Sequence, residues 1–533
     1  MNKNITRIVF SVGFIAIILA SCTKDLNRFP QNATTSANVY STPLGYKQAM
    51  AKVYGAFALT GNSGPAGSGD VQGIDEGFSD FFRLFWNVQE LPTDEAVIAW
   101  NDATIQNFHA MSWTSGDAFL QGLYYRSMYQ VTLANEFLKQ STDARLGENK
   151  ISGADADAIR VFRNEARFLR AFQYWVLMDL YGNPPFATDK DPFGSIPKQI
   201  SRTDLFKYLE TELQELETVL PAARSNGYGR ADRAAAQALL ARMYLNAQVY
   251  TGTARWTDAA AYARKVIDAG YTLVSDPRWL MRADNHLNTN EFILTINYDG
   301  LRTQGYGGST YMVHASTGGS MDARGMMGIP SGGWYGLRTT RNIPALFPDA
   351  TGTADKRSQF WTDGQSLDIT DVGNFNHGYA VTKYRNVTRS GAIAPNIDPT
   401  GTFTDVDIPI FRLGEMYLIY AEAVLRGGAG DMGTALNYIN LLRTRAYMSA
   451  AGIITANDLT LNFILDERAR ELLWEGHRRT DLIRYNRFTT SAYLWPWKGG
   501  VRAGRAVEDY RNLYPLPASD VVANPNLKQN PGY

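Results

Sequence analysis

Apolar positions recur at three- and four-residue steps over most of the chain, which predicts a mainly helical protein. Thr42 and Pro43 make an N-cap and first turn for a helix to about Leu59, and Gly61 to Gly69 reads as a flexible loop. Another helix begins at Ser115 and runs through Leu138. Ser152 with Asp155 forms a capping box for a long helix that ends near Gly182, where Asn183-Pro184-Pro185 stops it. Leu205, Leu209, Leu213, Leu216 and Leu220 mark the single buried stripe of an amphipathic helix.

Between Ala234 and Gly270 two helical runs flank a short turn. Their small residues Ala238, Ala241, Ala260 and Ala263 permit close antiparallel contact, as in a tetratricopeptide-type helix pair. A second pair is expected at Arg412 to Gly427 and Thr434 to Ala446, and the helices ending near Leu138 and Gly182 make a third. Such pairs cannot bury their faces alone, so stacking them yields one continuous scaffold.

Two stretches break this pattern. From Asp75 to Trp113, Phe81, Phe82, Phe85, Trp86, Trp100, Phe108 and Trp113 are set among acids, amides and the lone Arg83, without a regular apolar period. The expectation is a polar loop carrying large rings, with Phe81, Phe82, Phe85 and Trp86 assigned to a core beneath it. Trp100 differs, because Asn101 and Asp102 follow at once and place two hydrogen-bonding side chains beside its ring on a turn. From Tyr271 to Pro409, helical periodicity vanishes, Gly, Ser, Thr, Asn and Asp become frequent, and short runs such as Phe292 to Ile296 look like strands. This reads as a loop-rich insertion on the scaffold, a common place for a ligand. Tyr306, in Gly305-Tyr306-Gly307-Gly308, and Trp334, in Gly332-Gly333-Trp334-Tyr335-Gly336, read equally as core rings or as faces left uncovered by flanking glycines.

Rings beside planar hydrogen-bonding groups suit a sugar, which offers an apolar C–H face and a rim of hydroxyls. The supply is ample, with 29 Tyr, 25 Phe and 11 Trp in 533 residues. Lys+Arg and Asp+Glu both total 52, so no net field draws a polyanion, and nucleic-acid binding is disfavoured.

Lys3 and Arg7 precede an apolar run from Ile8 to Ala20, too short to span a membrane and suited to a signal-peptide core. It ends in Leu19-Ala20-Ser21-Cys22, which matches a bacterial lipobox. Residues 1–21 are therefore expected to be a lipoprotein signal peptide and Cys22 the lipid-attachment site, followed by a short tether to Pro30. As the chain's one cysteine, an acylated Cys22 leaves no thiol for a disulfide or a metal.

Near the C-terminus, Glu467, Glu471 and Glu475 are interleaved with Arg468, Arg470, Arg478 and Arg479. Clustered carboxylates are what glycoside hydrolysis needs, but charges this dense neutralise one another and leave no raised general acid. His109, His286, His314, His377 and His477 lack ligand spacing, so no metal site is expected and no cofactor is implied.

The lipobox, the segment Glu90 to Ala96 (ELPTDEA), the helix pair at Ala234, and the pattern of Glu467, Arg468, Glu471, Leu472, Glu475, Gly476, Arg478, Asp481, Leu482 and Arg484 together resemble the SusD/RagB lipoproteins. The likeness is closest to the starch-binding branch of that family. It implies one SusD-like domain over 22–533, with a tetratricopeptide-like helical-pair scaffold at about 40–270 and 410–490 and a loop-rich insertion at about 271–409. It implies an arc of Trp100, Tyr306 and Trp334 against starch or maltodextrin, with Asp75, Arg83 and Asn101 as hydroxyl partners. The starch-binding branch places an asparagine three residues after the tryptophan, where this chain has Ala103, so Asn101 or Asp102 must substitute. Tyr384 is a further ring in reach of the pattern. Part of an insertion between Trp334 and Lys383 is missing here, so no calcium or second sugar site is carried over.

The resemblance further implies a lipid-anchored outer-membrane protein that faces outward, passes glycan to a SusC-like TonB-dependent transporter and performs no catalysis. The alternatives are a SusD-like binder of another glycan, a secreted glycoside hydrolase, and a helical assembly scaffold without sugar affinity.

Overall fold

The computed structural model describes residues 36–533 apart from Phe193; the signal segment 1–21 and Cys22 lie outside the described residues. The chain forms helices α1 (Pro43–Gly55), α2 (Phe81–Glu90), α3 (Ala118–Gln140), α4 (Gly153–Tyr181), α5 (Arg202–Val219), α6 (Arg233–Leu245) and α7 (Trp256–Ile267). After the irregular segment come α8 (Gly308–Ala315), α9 (Leu413–Leu425), α10 (Met432–Tyr447), α11 (Leu461–Glu471) and α12 (Arg478–Arg484). Thr42 caps α1 through its hydroxyl, with Pro43 in the first turn. Asp117 caps α3, two residues beyond the expected Ser115, and Ser152 stands at the N-cap of α4 without a side-chain capping bond.

Neighbours in sequence are neighbours in space. Helix α3 packs on α4, α4 on α5, α5 on α6, α6 on α7, α7 on α9 and α9 on α10, a continuous stack of helix pairs. The three expected pairs are all present. Small residues make the closest contacts: Ala238, Ala241, Ala260 and Ala263 are completely or almost completely buried.

The insertion leaves the stack after α7 and returns before α9. Its root is a pair of antiparallel strands, Phe292–Ile296 and Ile408–Arg412, which hold the two ends of the insertion together. Most of the rest is irregular, with two-residue strands.

Two helices were absent from the sequence reading. The stretch expected to be a polar loop contains α2, FFRLFWNVQE, and all ten of its residues are buried. Helix α8 lies inside the insertion and packs against α2, and all eight of its residues are buried as well. Helix α2 does place Phe81, Leu84, Phe85 and Val88 at helical steps, but it is only ten residues long and Phe82 and Trp86 fall outside that stripe, so the period is blurred. Its ends carry the signal instead: Asp80 accepts from the Arg83 amide at 2.9 Å and caps α2.

The two most legible motifs, ELPTDEA and the C-terminal charge pattern, bind each other across nearly 400 residues. Asp94 takes Arg478 in a two-point ion pair, 2.7 Å at each contact. Glu90 accepts from the amides of Gly476 and His477 at 2.6 and 2.9 Å, and Glu95 accepts from the Trp474 amide at 2.8 Å. The glutamates behind that turn sit in a buried lattice. Glu467 contacts Arg357, Arg443 and Arg470 at 2.7 to 2.9 Å. Arg412 bridges Glu471 and Glu475 at 2.7 Å each, and Lys383 reaches Glu475 at 2.6 Å. Although burial opposes it, the surrounding guanidinium groups hold Glu467 down at about 2 and keep Glu471 and Glu475 below the usual carboxylate range. None can serve as a proton donor near neutral pH.

Candidate carbohydrate-binding cleft

An antiparallel two-residue ladder builds the site. Val97–Ile98 pairs with Leu337–Arg338, with Val97 opposite Arg338 and Ile98 opposite Leu337. Each strand lies beside a tryptophan, so this pairing sets Trp100 and Trp334 next to each other. The Ala99 amide extends the ladder by donating to the Gly336 carbonyl at 2.9 Å, and the Trp100 indole N–H donates to the Trp334 carbonyl at 2.9 Å.

Glycine serves close approach here. A Cβ at Gly336 would stand 2.6 Å from the Trp100 ring, and one at Gly333 would stand 2.1 Å from the Thr317 carbonyl oxygen. Around Tyr306 the reason is the same: a Cβ at Gly307 would meet Asp80 at 2.0 Å, and one at Gly308 would meet the Tyr298 ring at 2.2 Å. The glycines let the backbone pack onto its neighbours, and ring exposure follows from where that packing leaves the rings. Asp80 exploits this approach by accepting from the Gly308 amide at 2.8 Å, which ties the Tyr306 turn to the start of α2.

Trp100, Trp334 and Tyr306 form a row. Adjacent ring centroids are 6.3 and 6.2 Å apart, and the planes are tilted by 47° and 53°. All three rings are half-buried. Trp334 is backed by the buried His314 imidazole, stacked at 4.6 Å and 21°, and Tyr306 by Phe403 at 5.5 Å. Burial pulls His314 below its ordinary pKa, although both ring nitrogens lie 2.7 Å from backbone carbonyls of Gly332 and Thr402.

Arg83 enters from α2 and is 5% exposed. Its Nη1 donates to the Gly77 and Tyr306 carbonyls at 3.0 Å each, and the guanidinium lies 4.4 Å from the Tyr311 ring centre, 4.7 Å from Phe78 and 5.8 Å from Trp100. Burial lowers its pKa while Tyr311, Asp80, Asp102 and Asp75 raise it. Asp75 is exposed and caps a short turn through Oδ1, which accepts from the Gly77 amide at 2.8 Å. Its Oδ2 makes no hydrogen bond among the described residues.

The cleft these residues enclose is open to solvent and has a volume of about 640 Å³. Asp75, Arg83, Trp100, Asp102, Tyr306 and Trp334 all line it. Asn101 is exposed but is not among the lining residues, so of the two candidates after Trp100 it is Asp102 that faces the cleft. Tyr384 is 1% exposed and donates to the Trp474 carbonyl, which makes it a core residue remote from the row. Phe78 and Ala66 also line the cleft. Phe78 follows Asp75 by three residues and was legible as a ring beside an acid; Ala66 comes from the glycine-rich loop, where nothing in the residue type marks it.

The molecule is thus a stack of helix pairs with an open, ring-lined cleft where its irregular insertion meets the segment from Ala66 to Asp102. Residues 353–533 match the sequence model of the SusD family. Over the whole length of both proteins the chain is 34% identical to the starch-binding protein SusD of Bacteroides thetaiotaomicron. The chain belongs to the SusD family. Its fold is similar to that of a SusD homolog from Bacteroides thetaiotaomicron, with a TM-score of 0.73 at 18% identity, covering 95% of this chain and 100% of that one. A surface glycan-binding protein A from the same organism, solved with laminarihexaose, is similar with a TM-score of 0.66 at 22% identity, covering 91% of this chain and 98% of that one.

Proposed function

We propose that this protein binds starch-type α-glucans in the Trp100–Trp334–Tyr306 cleft and delivers them to a TonB-dependent SusC-type transporter without breaking a bond. In this reading residues 22–533 act as one unit, held to the outer face of the outer membrane by lipid on Cys22. No helix among the described residues is long and apolar enough to cross a membrane.

The observation that carries the reading is the row of three rings, each turned by about half a right angle from the last. Rings tilted to one another offer a non-planar surface, which suits the coil of an α-linked glucan better than a flat ribbon. Each stack contributes on the order of 1 kcal/mol, so the three act together and affinity is modest. Arg83, Asp75 and Asp102 supply charged donors and acceptors for the sugar's hydroxyl rim. The full-length likeness to a starch-binding relative supports the choice of glucan.

Binding without hydrolysis fits the acids present. The carboxyl groups that burial pushes up most, Asp80 to about 6, Asp407 and Glu90 to about 7 and Glu95 well above its usual range, line no part of the cleft. A second reading, a cleft for another glucan, is favoured by the laminarihexaose complex of the structural neighbour. Calorimetric titration of the detergent-solubilised full-length protein with maltoheptaose, a cyclic maltodextrin and laminarihexaose separates the two. Binding of the α-linked ligands alone supports starch; binding of laminarihexaose alone replaces it with a β-glucan; binding of none removes the cleft as a glucan site.

A further inference from the structure

A second cavity, of about 530 Å³, opens in the insertion and shares no lining residue with the ring-lined cleft. Five cations line it, Arg278, Arg282, Lys356, Arg385 and Arg389, and no Asp or Glu does. The nearest acids already have partners: Asp276 holds Arg278 at 2.6 Å and Asp284 holds Arg389 at 3.1 Å.

Three cations therefore have no carboxylate. Lys356 donates only to the Gly352 and Thr353 carbonyls, at 3.0 and 2.7 Å. Arg385 donates only to the carbonyl and hydroxyl of Thr382, at 2.8 and 2.9 Å. Arg282, 7% exposed, makes no side-chain hydrogen bond among the described residues, and its Nη1 is buried without a partner. A parallel backbone bridge between Arg282 and Arg385 places these two in one wall. Burial, then the repulsion of Arg385 and Arg278, lowers Arg282 to about 9; burial, then Arg278, lowers Arg385 to about 10.

A buried guanidinium without a counter-charge is expensive, and a chain that keeps one beside a second unpaired cation in an open cavity has left room for an anion. Guanidinium groups present fixed forks of donors that match the oxygens of phosphate, sulfate or carboxylate. The cavity is larger than such an ion needs. Trp279 and Trp361, both half-buried, stand on its wall beside the cations, Trp279 with Arg389 over its ring at 4.9 Å.

We propose that this cavity is a second ligand site, taking an oxyanion borne on a sugar, with Arg282, Arg385 and Lys356 holding the charged group and the indoles flanking the ring. The site is independent of the cleft, and its test does not depend on what the cleft binds.

Titration of the full-length protein with glucose 6-phosphate, glucose 6-sulfate, inorganic phosphate, inorganic sulfate and glucose tests it. The sugar esters are expected to bind, about tenfold more tightly than the inorganic ions, and glucose not at all in this cavity. Equal affinity for ester and free ion would overturn the sugar part and leave a site for the ion itself; no binding of any anion would overturn the whole. Arg282→Gln should abolish the ester's binding and the thermal stabilisation it brings, while raising the melting temperature of the unliganded protein by removing an unpaired charge. Lys356→Gln, at a half-exposed position that tolerates the change, should weaken the ester about tenfold and leave maltoheptaose titrations unchanged. Ester binding unaltered in both variants would overturn the assignment.

Discussion

The ring-lined cleft and the charge lattice behind the C-terminal helices are made from the same residue types, arginines and carboxylates packed among aromatics, and they do opposite things. In the lattice the carboxylates are fully engaged: Glu467 alone meets three arginines, and Arg412 binds through all three of its guanidinium nitrogens. In the cleft the same groups are left partly open, with Asp75 bonded through one oxygen and three rings half-buried, Trp334 backed by His314 and Tyr306 by Phe403. Residue type does not tell a binding surface from a structural one. What tells them apart is the hydrogen-bonding and stacking capacity that folding leaves unused.

The lattice is the place to break stability. Arg412→Met removes the guanidinium that joins Glu471 to Glu475, leaving Glu471 to Arg357 and Arg445 and Glu475 to Lys383 alone, so buried negative charge is under-compensated. The expected loss is about 3–5 kcal/mol, read as a lower melting temperature and denaturant midpoint, with maltoheptaose affinity of the folded fraction unchanged. An unchanged melting temperature would mean the lattice is dispensable.

The cleft is the place to break binding. Trp334→Ala removes the middle ring of the row but keeps the backbone carbonyl that accepts from Trp100. The sugar loses that stack, and Trp100 and Tyr306 lose the neighbour that fixes their tilt, so maltoheptaose affinity should fall by about 2 kcal/mol, roughly thirtyfold, with little change in melting temperature. Unchanged calorimetric affinity would remove the row as the binding surface.

The difference between these regions explains what the sequence made legible. The helix pairs at Ala234 and Arg412 were readable because each is a long run of helix-forming residues with small side chains where helices meet, although α6 and α9 are buried on nearly every side, and the lipobox and charge pattern because their spacing is strict. Trp100, Tyr306 and Trp334 were found because they stand beside residues unusual for a core, and the structure gathers them in one cleft. Helices α2 and α8 were missed because they are short, ten and eight residues, and stand among residues that read as loop, so Arg83, expected on a loop, is a buried helical residue whose head group alone reaches the cleft. The ladder of Val97–Ile98 with Leu337–Arg338 joins segments about 240 residues apart through two-residue strands, too short to leave a period. The cationic cavity needed three separate segments to meet, and none alone shows that its charges lack partners.

The two regions should also titrate in opposite senses. Glu467 is held at about 2, below its unfolded value, so its contribution is present above the usual carboxylate range and is lost as pH falls toward 2. Asp80 is pushed up to about 6 by burial, so the folded state holds its proton more tightly than the unfolded state and stability falls as pH rises from about 4 through 6. Asp80→Asn keeps the oxygen that accepts from both Arg83 and Gly308 while removing the charge. It should flatten the pH dependence of the melting temperature between pH 4 and 8 and raise stability at pH 8 by about 1–2 kcal/mol. A slope identical to the parent's would show that Asp80 is not the titrating group.

The smallest expected effect tests the sharpest geometric distinction. Asn101 and Asp102 are adjacent and both exposed, and either answers the need for a hydrogen-bonding side chain after Trp100, but only Asp102 lines the cleft. A hydrogen bond from a sugar hydroxyl to an exposed carboxylate replaces one to water, so its net contribution is about 0.5–1 kcal/mol. Asp102→Ala should therefore weaken maltoheptaose two- to fivefold, about the limit of what titration resolves, and Asn101→Ala should leave affinity unchanged. The reverse pattern would place the sugar on the outer side of the turn and would move the bound glucan away from Tyr306. Equal losses would mean that the turn readjusts around the ligand, so that the row of rings fixes the glucan's path and the acids follow it.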